Sequence, residues 1–166
     1  MKIKMERLVP AGIDYKRELN WLRGGLIAAF IYSLGFFIRF MDRYGSLFRV
    51  LVGNKRVLNE NAVMPDYVDV LGDAILLFLV LALVMVALMV YHYIYHFQGS
   101  KSIYLMRRLP DRWELWRRCL TLPVMGALTS LLAAAVIIII YYGIYMLATP
   151  KACLSPGQWH KIWNVF

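Results

Sequence analysis

The sequence predicts an all-α integral membrane protein with three transmembrane helices, and three observations carry that expectation. Of its 166 residues, 61% are hydrophobic and only 17% charged, where a soluble domain would carry about a quarter charged. Three long apolar segments interrupt the polar chain. Finally, the basic residues are distributed unevenly among the segments that connect them.

The first apolar segment is GGLIAAFIYSLGFFI, Gly24 to Ile38, bracketed by Arg23 and Arg39. It is short against the roughly 20 residues a bilayer core requires, so both arginines are expected to snorkel to the headgroups. A basic stretch ahead of an apolar one resembles a secretory signal. The polar start is long, however, and no small-x-small cleavage site follows, so an uncleaved helix and a chain beginning at Met1 are expected. The second segment runs from Ala74 to Phe97 without a formal charge, and the third from Leu120 to Thr149. Both exceed the transmembrane length criterion. One membrane domain over 1–166 follows, with spans at about 22–41, 74–97 and 122–147, an outer loop at 42–73 and a cytoplasmic loop at 98–121.

Orientation comes from the count of Lys and Arg. Residues 1–23 hold six and residues 98–119 hold six; the 39–73 stretch has five, offset by five acids, and the C-terminal tail has only Lys151 and Lys161. The positive-inside rule then places the N-terminus and the 98–121 loop in the cytoplasm and the C-terminus outside. Cys119 and Cys153 fall on opposite sides in that map, so no disulfide joins them. Neither has the spacing of a metal or redox pair.

Within the outer loop, Phe48, Val50, Leu51 and Val52 beside Arg49 suggest a helix lying in the interface. Gly53-Asn54 is a stop signal and Pro65-Asp66 a turn. Asp66, Asp69 and Asp73 share one face if the second helix starts early, either as dipole-complementing acids or as a cation site. The tail, with Trp159, Trp163 and Phe166, has the composition of a segment lying on the membrane surface.

Chemistry-bearing patterns are sparse. His92 and His96 sit at i and i+4, a spacing that can begin a metal site. Flanked by Tyr91, Tyr93 and Tyr95 at a membrane boundary, they read more simply as part of an aromatic belt. No Asp, Glu, Lys or Arg is expected at bilayer depth, which argues against a self-contained pump, channel or intramembrane protease. Phosphate-binding glycine loops, nucleophile–base sets and nucleic-acid-reading modules are not found in the sequence, so no catalytic, metal or cofactor-binding residue and no nucleic-acid partner is expected. Small residues repeat every four positions at Gly25, Ala29 and Ser33, and again at Gly126, Ser130 and Ala134. Such stripes let helices approach closely in lipid, either within this chain or against another membrane subunit or a second copy.

The stretch GSKSIYLMRRLPDRWELWRR, from Gly99, carries more local structure than a linker needs. Ser100 or Ser102 can cap a short helix that Pro110 interrupts. Asp111 and Glu114 then form a capping box for a second short helix, with Trp113 and Trp116 on one face. This stretch resembles the coupling element of type-2 permeases of bacterial ABC transporters, which follows the second membrane helix and docks on the ATPase subunit. The resemblance covers about residues 68–147. Those permeases have six spans where this chain has three.

What the resemblance implies is a half-length relative or small accessory membrane subunit of such a complex, in the bacterial cytoplasmic membrane. Tyr104, Leu105, Arg107, Arg108, Trp113 and Trp116 would contact a cytoplasmic ATPase, and ATP and Mg would belong to that partner. The alternative is a non-transporting scaffold or regulatory anchor whose basic loop binds anionic lipid or a signalling partner.

Overall fold

A computed structural model describes residues 14–51, 55–59, 62–98 and 114–163 of the chain. The described chain is mainly helical, and three helices are long and apolar enough to cross a membrane: Tyr15–Ser46, Leu76–Ile94 and Cys119–Ala148. Large apolar side chains project from all three, including Ile38 at 75% exposure, Leu83 at 69% and Leu132 at 65%. A water-soluble protein would bury such surface; lipid tolerates it.

The elements run in the order α1 (Tyr15–Ser33), α2 (Gly35–Ser46), β1 (Phe48–Leu51), β2 (Lys55–Leu58), α3 (Tyr67–Leu71), α4 (Leu76–Gln98), α5 (Glu114–Ala148), a 3₁₀ turn (Lys151–Cys153) and α6 (Gln158–Trp163). The chain divides into two compact units.

The first unit contains residues up to Ala29 together with Leu77–Ala134. Its helix α1 begins at Tyr15, well before the apolar segment, because Asp14 caps it: Asp14 Oδ1 accepts from the Lys16 N–H at 3.0 Å. The small residues sit where helices meet. A Cβ on Gly25 would lie 2.6 Å from Leu81 Cδ1, and one on Gly126 would lie 3.0 Å from Met85 Sδ and 3.5 Å from Leu22 Cδ1. Ser130, fully buried, donates to the Phe78 carbonyl at 2.7 Å, and Ala29 and Ala134 are buried. Only side chains this small leave room for such approach in lipid.

The second unit contains Phe30–Leu76 and Ala135–Phe166. Here the first apolar stretch is broken at Leu34. Ser33 Oγ donates back to the Phe30 carbonyl at 2.7 Å, and the Leu34 and Phe37 amides make i−3 bonds instead of continuing the α ladder. Gly35, a poor helix former, follows. Buried Phe36 stacks on Tyr141 with ring centroids 4.4 Å apart, and Tyr67 and Tyr145 pack edge-on at 5.6 Å. Ser33 Oγ and Tyr141 Oη share a buried hydrogen bond of 2.9 Å.

Three expectations are corrected. Residues 48–51 form not an interfacial helix but one strand of an antiparallel hairpin, with Phe48 opposite Leu58 and Leu51 opposite Lys55; the β-branched and aromatic residues on both arms suit a ladder. The Gly53-Asn54 signal lies outside the described residues. The second membrane helix does not start early, because α3 ends at Gly72, whose left-handed φ of 50° stops it. Residues 114–119 are not a separate short helix but the first turns of α5, since no breaker stands between Glu114 and the apolar run and Pro123 falls inside the helix.

The tail, expected to lie on a membrane surface, is held by the chain's own loop. The Met64 N–H donates to the Cys153 carbonyl at 2.9 Å, and the Tyr67 N–H donates to Gln158 Oε1 at 2.8 Å. Trp159 packs edge-on against Tyr142 at 5.2 Å. The Phe166 position lies outside the described residues.

Candidate functional site

Among the described residues, polar contacts gather in two places, one in each unit. In the first unit the start of α1 carries Lys16, Arg17 and Arg23 exposed, while Glu18 turns inward. Its Oε1 lies 2.6 Å from His92 Nε2 on α4, and His92 is 1% exposed. Glu18 Oε2 and His92 Nδ1 are also buried and have no hydrogen-bond partner among the described residues. An unsatisfied buried polar atom costs about 1–3 kcal/mol, so this pair is expensive to retain.

This pair was not visible in the sequence as a pair. His92 belongs to the interior and not to an exposed aromatic belt, although Tyr91 flanks it with ring centroids 6.2 Å apart. Glu18 looked like part of a polar prelude to the membrane, and it lies within the first membrane-length helix once that helix starts at Tyr15. Asp14 ahead of a helix-compatible run was the signal that could have extended α1. Among the described residues no group of three His, Cys, Asp or Glu side chains could hold a metal ion.

In the second unit Asp66 is the hub. Its Oδ1 accepts from Lys161 Nζ at 2.7 Å, Ser155 Oγ at 2.8 Å and Gln158 Nε2 at 3.0 Å. The hydrogen bond from the Lys161 ammonium, reinforced by the Ser155 hydroxyl, holds the Asp66 carboxyl below the usual carboxylate range. Asp73 is lowered as well, by the Tyr32 hydroxyl first and then by Arg39. Arg39 also donates from Nη1 to the Leu71 carbonyl at 3.0 Å. Burial raises the Tyr67 hydroxyl, which donates to the Ile138 carbonyl at 2.8 Å. These acids are therefore spent on tying the loop to the tail and to the membrane helices. Asp66, Asp69 and Asp73 do not converge on a cation: Asp66 and Asp73 are committed to Lys161 and Arg39, and Asp69 is exposed.

Of the residues expected to contact a partner, Tyr104, Leu105, Arg107, Arg108 and Trp113 lie outside the described residues, as do Ser100, Ser102, Pro110 and Asp111. Trp116 falls in the first turn of α5, one residue before exposed Arg117. The two small-residue stripes, Gly25–Ala29–Ser33 and Gly126–Ser130–Ala134, are turned toward this chain's own side chains and are not open surfaces. Both cysteines are buried and unpaired. Comparison with protein-family models, with characterised proteins and with solved structures gives no match to this chain.

Proposed function

We propose that this chain is a three-span, non-enzymatic subunit of an ABC-type transport complex in the bacterial cytoplasmic membrane. It would dock a cytoplasmic ATPase through residues 100–118 and sit beside another membrane subunit or a second copy of itself.

The observation that supports this reading best is the continuity of α5. Its 35 residues extend about 52 Å, against a hydrocarbon core of about 30 Å. The surplus at its start carries Trp116 and Arg117 on the same continuous helix as the apolar run. A partner that grips the 100–118 stretch would pull directly on a membrane helix. A loop that only bound lipid would gain nothing from that continuity. Pro123, buried in this helix, lacks an N–H and weakens the ladder near where the projecting turns meet the span.

Affinity purification in mild detergent tests the reading. The ATPase is expected to co-elute with wild type and to be lost in the Trp113→Ala/Trp116→Ala double variant, with membrane insertion unchanged. Aromatic anchors carry most of the energy in such interfaces, so their loss should abolish retention. Retention of the ATPase by the double variant would refute docking through this face. If no ATPase is ever retained, the scaffold reading replaces this one.

A further inference from the structure

Between α1 and α4 the first unit has a groove of about 720 Å³. At one end it is lined by Lys16, Arg17 and Asn20, all exposed; its floor is Gly24 and Ala28 of α1 with Leu81 and Val84 of α4. We propose that this groove is a binding site for one glycerophospholipid with an anionic headgroup. The phosphate would lie at Lys16 and Arg17, and one acyl chain would run along the Gly24–Ala28 floor.

Three features select this occupant. The first is charge: two cations line the polar end, and the one acid there, Asp14, is engaged in capping α1 through the Lys16 N–H. The second is length. From Arg17 to Ala28 along α1 is about 16 Å, which matches one leaflet of a hydrocarbon core about 30 Å thick. A partner helix would need a groove running the whole span, so a single-leaflet groove that starts at cations fits a lipid better. The third is the open space over Gly24 on the floor. A Cβ on Gly24 would meet nothing within 4 Å, whereas its neighbour Gly25 is already filled by Leu81. Trp21, 72% exposed and also lining the groove, stands at the polar end where an indole suits the headgroup boundary. The site requires only that α1 and α4 lie in a bilayer, and not that an ATPase be the partner.

The test is native mass spectrometry of the full chain released from vesicles containing phosphatidylglycerol and phosphatidylcholine. Wild type is expected to retain one phosphatidylglycerol. Gly24→Leu fills the floor without displacing any atom and should lose that lipid while helix content and thermal stability stay unchanged. Ala28→Trp should act in the same way and guards against misfolding of a single variant. Lys16→Gln/Arg17→Gln should keep a bound lipid but lower the preference for phosphatidylglycerol about thirtyfold, taking each basic side chain as about 1 kcal/mol. Equal retention of both lipids by wild type would overturn the proposal, as would undiminished lipid in both filled variants. A fall in oligomeric size with Gly24→Leu, without lipid loss, would assign the groove to a helix and also overturn it.

Discussion

His92 Nε2 lies 2.6 Å from Glu18 Oε1, so the start of α1 is fastened to α4 by a carboxylate–imidazole pair that is almost closed to solvent. Glu18 is turned from the charged start of α1 onto α4, a helix with no Asp, Glu, Lys or Arg of its own. Charge in such a position is costly unless it is matched, so each residue's tolerance depends on the other.

Replacing His92 by Phe would strand the Glu18 carboxylate in an apolar setting. Removing one member of a buried pair typically costs about 3–5 kcal/mol, and the His92 and Glu18 side chains are only 2% and 13% exposed. The Glu18→Leu/His92→Phe double variant should recover most of the loss. Thermal unfolding in detergent, arranged as a double-mutant cycle, reads the coupling; additive losses would mean that the pair contributes no specific energy.

The small-residue stripes make a second prediction. Gly126→Leu should lower the thermal stability of the isolated chain by about 1–3 kcal/mol, because Met85 and Leu22 already occupy the space a side chain would need. Ser130→Ala should cost about 0.6 kcal/mol, the usual worth of a hydrogen bond between membrane helices. A change in complex size with no change in the stability of the isolated chain would contradict the packing seen here.

Gly72→Ala should release the loop from the membrane helix. The left-handed φ disfavours any Cβ, and the added methyl would collide with the Arg39 guanidinium that pairs with Asp73. A loss of about 1 kcal/mol or more is expected, with faster hydrogen exchange at the Gly72 amide, which bonds to the Val68 carbonyl. Exchange at wild-type rates would show that the turn does not depend on glycine.

The knot around Asp66 should be sensitive to acid. Its carboxyl titrates lower in the folded chain than in the unfolded one, so its stabilising contribution is complete above the ordinary carboxylate range. That contribution disappears as pH falls through the depressed folded value. Tail docking should therefore persist at neutral pH and loosen only in strong acid, while Asp66→Asn should loosen it at every pH. Hydrogen exchange at the Tyr67 amide, held by Gln158, reports the event. Loosening on alkalinisation through neutral pH would contradict the assignment.

Topology is testable at positions open to reagent. In a background with Cys119 and Cys153 changed to Ala, Ala152→Cys should label from outside the cell and Arg117→Cys only from the cytoplasm. Both positions are exposed, unlike the native thiols. The reverse pattern would invert the orientation and remove the ATPase proposal with it.

The sequence by itself determined the membrane-length helices, because apolar length is a local property: any run as long and uncharged as Ala74–Phe97 must leave water. It also marked Gly25, Ala29, Ser33, Gly126, Ser130 and Ala134 as places of close approach, since small size at four-residue spacing is legible without knowing the neighbour. What it left open was the neighbour itself. Only the tertiary structure decided that Leu81 faces Gly25, Met85 faces Gly126 and the Phe78 carbonyl accepts from Ser130, all within the same chain. The same holds for Glu18 with His92, and for Asp66 with Ser155, Gln158 and Lys161. Each pair joins residues more than seventy positions apart, and no periodicity records which distant side chain will satisfy a buried charge. Even the hairpin at 48–58 escaped local reading, because apolar and basic residues mixed over so few positions fit a surface helix and a strand equally until the ladder partner is known.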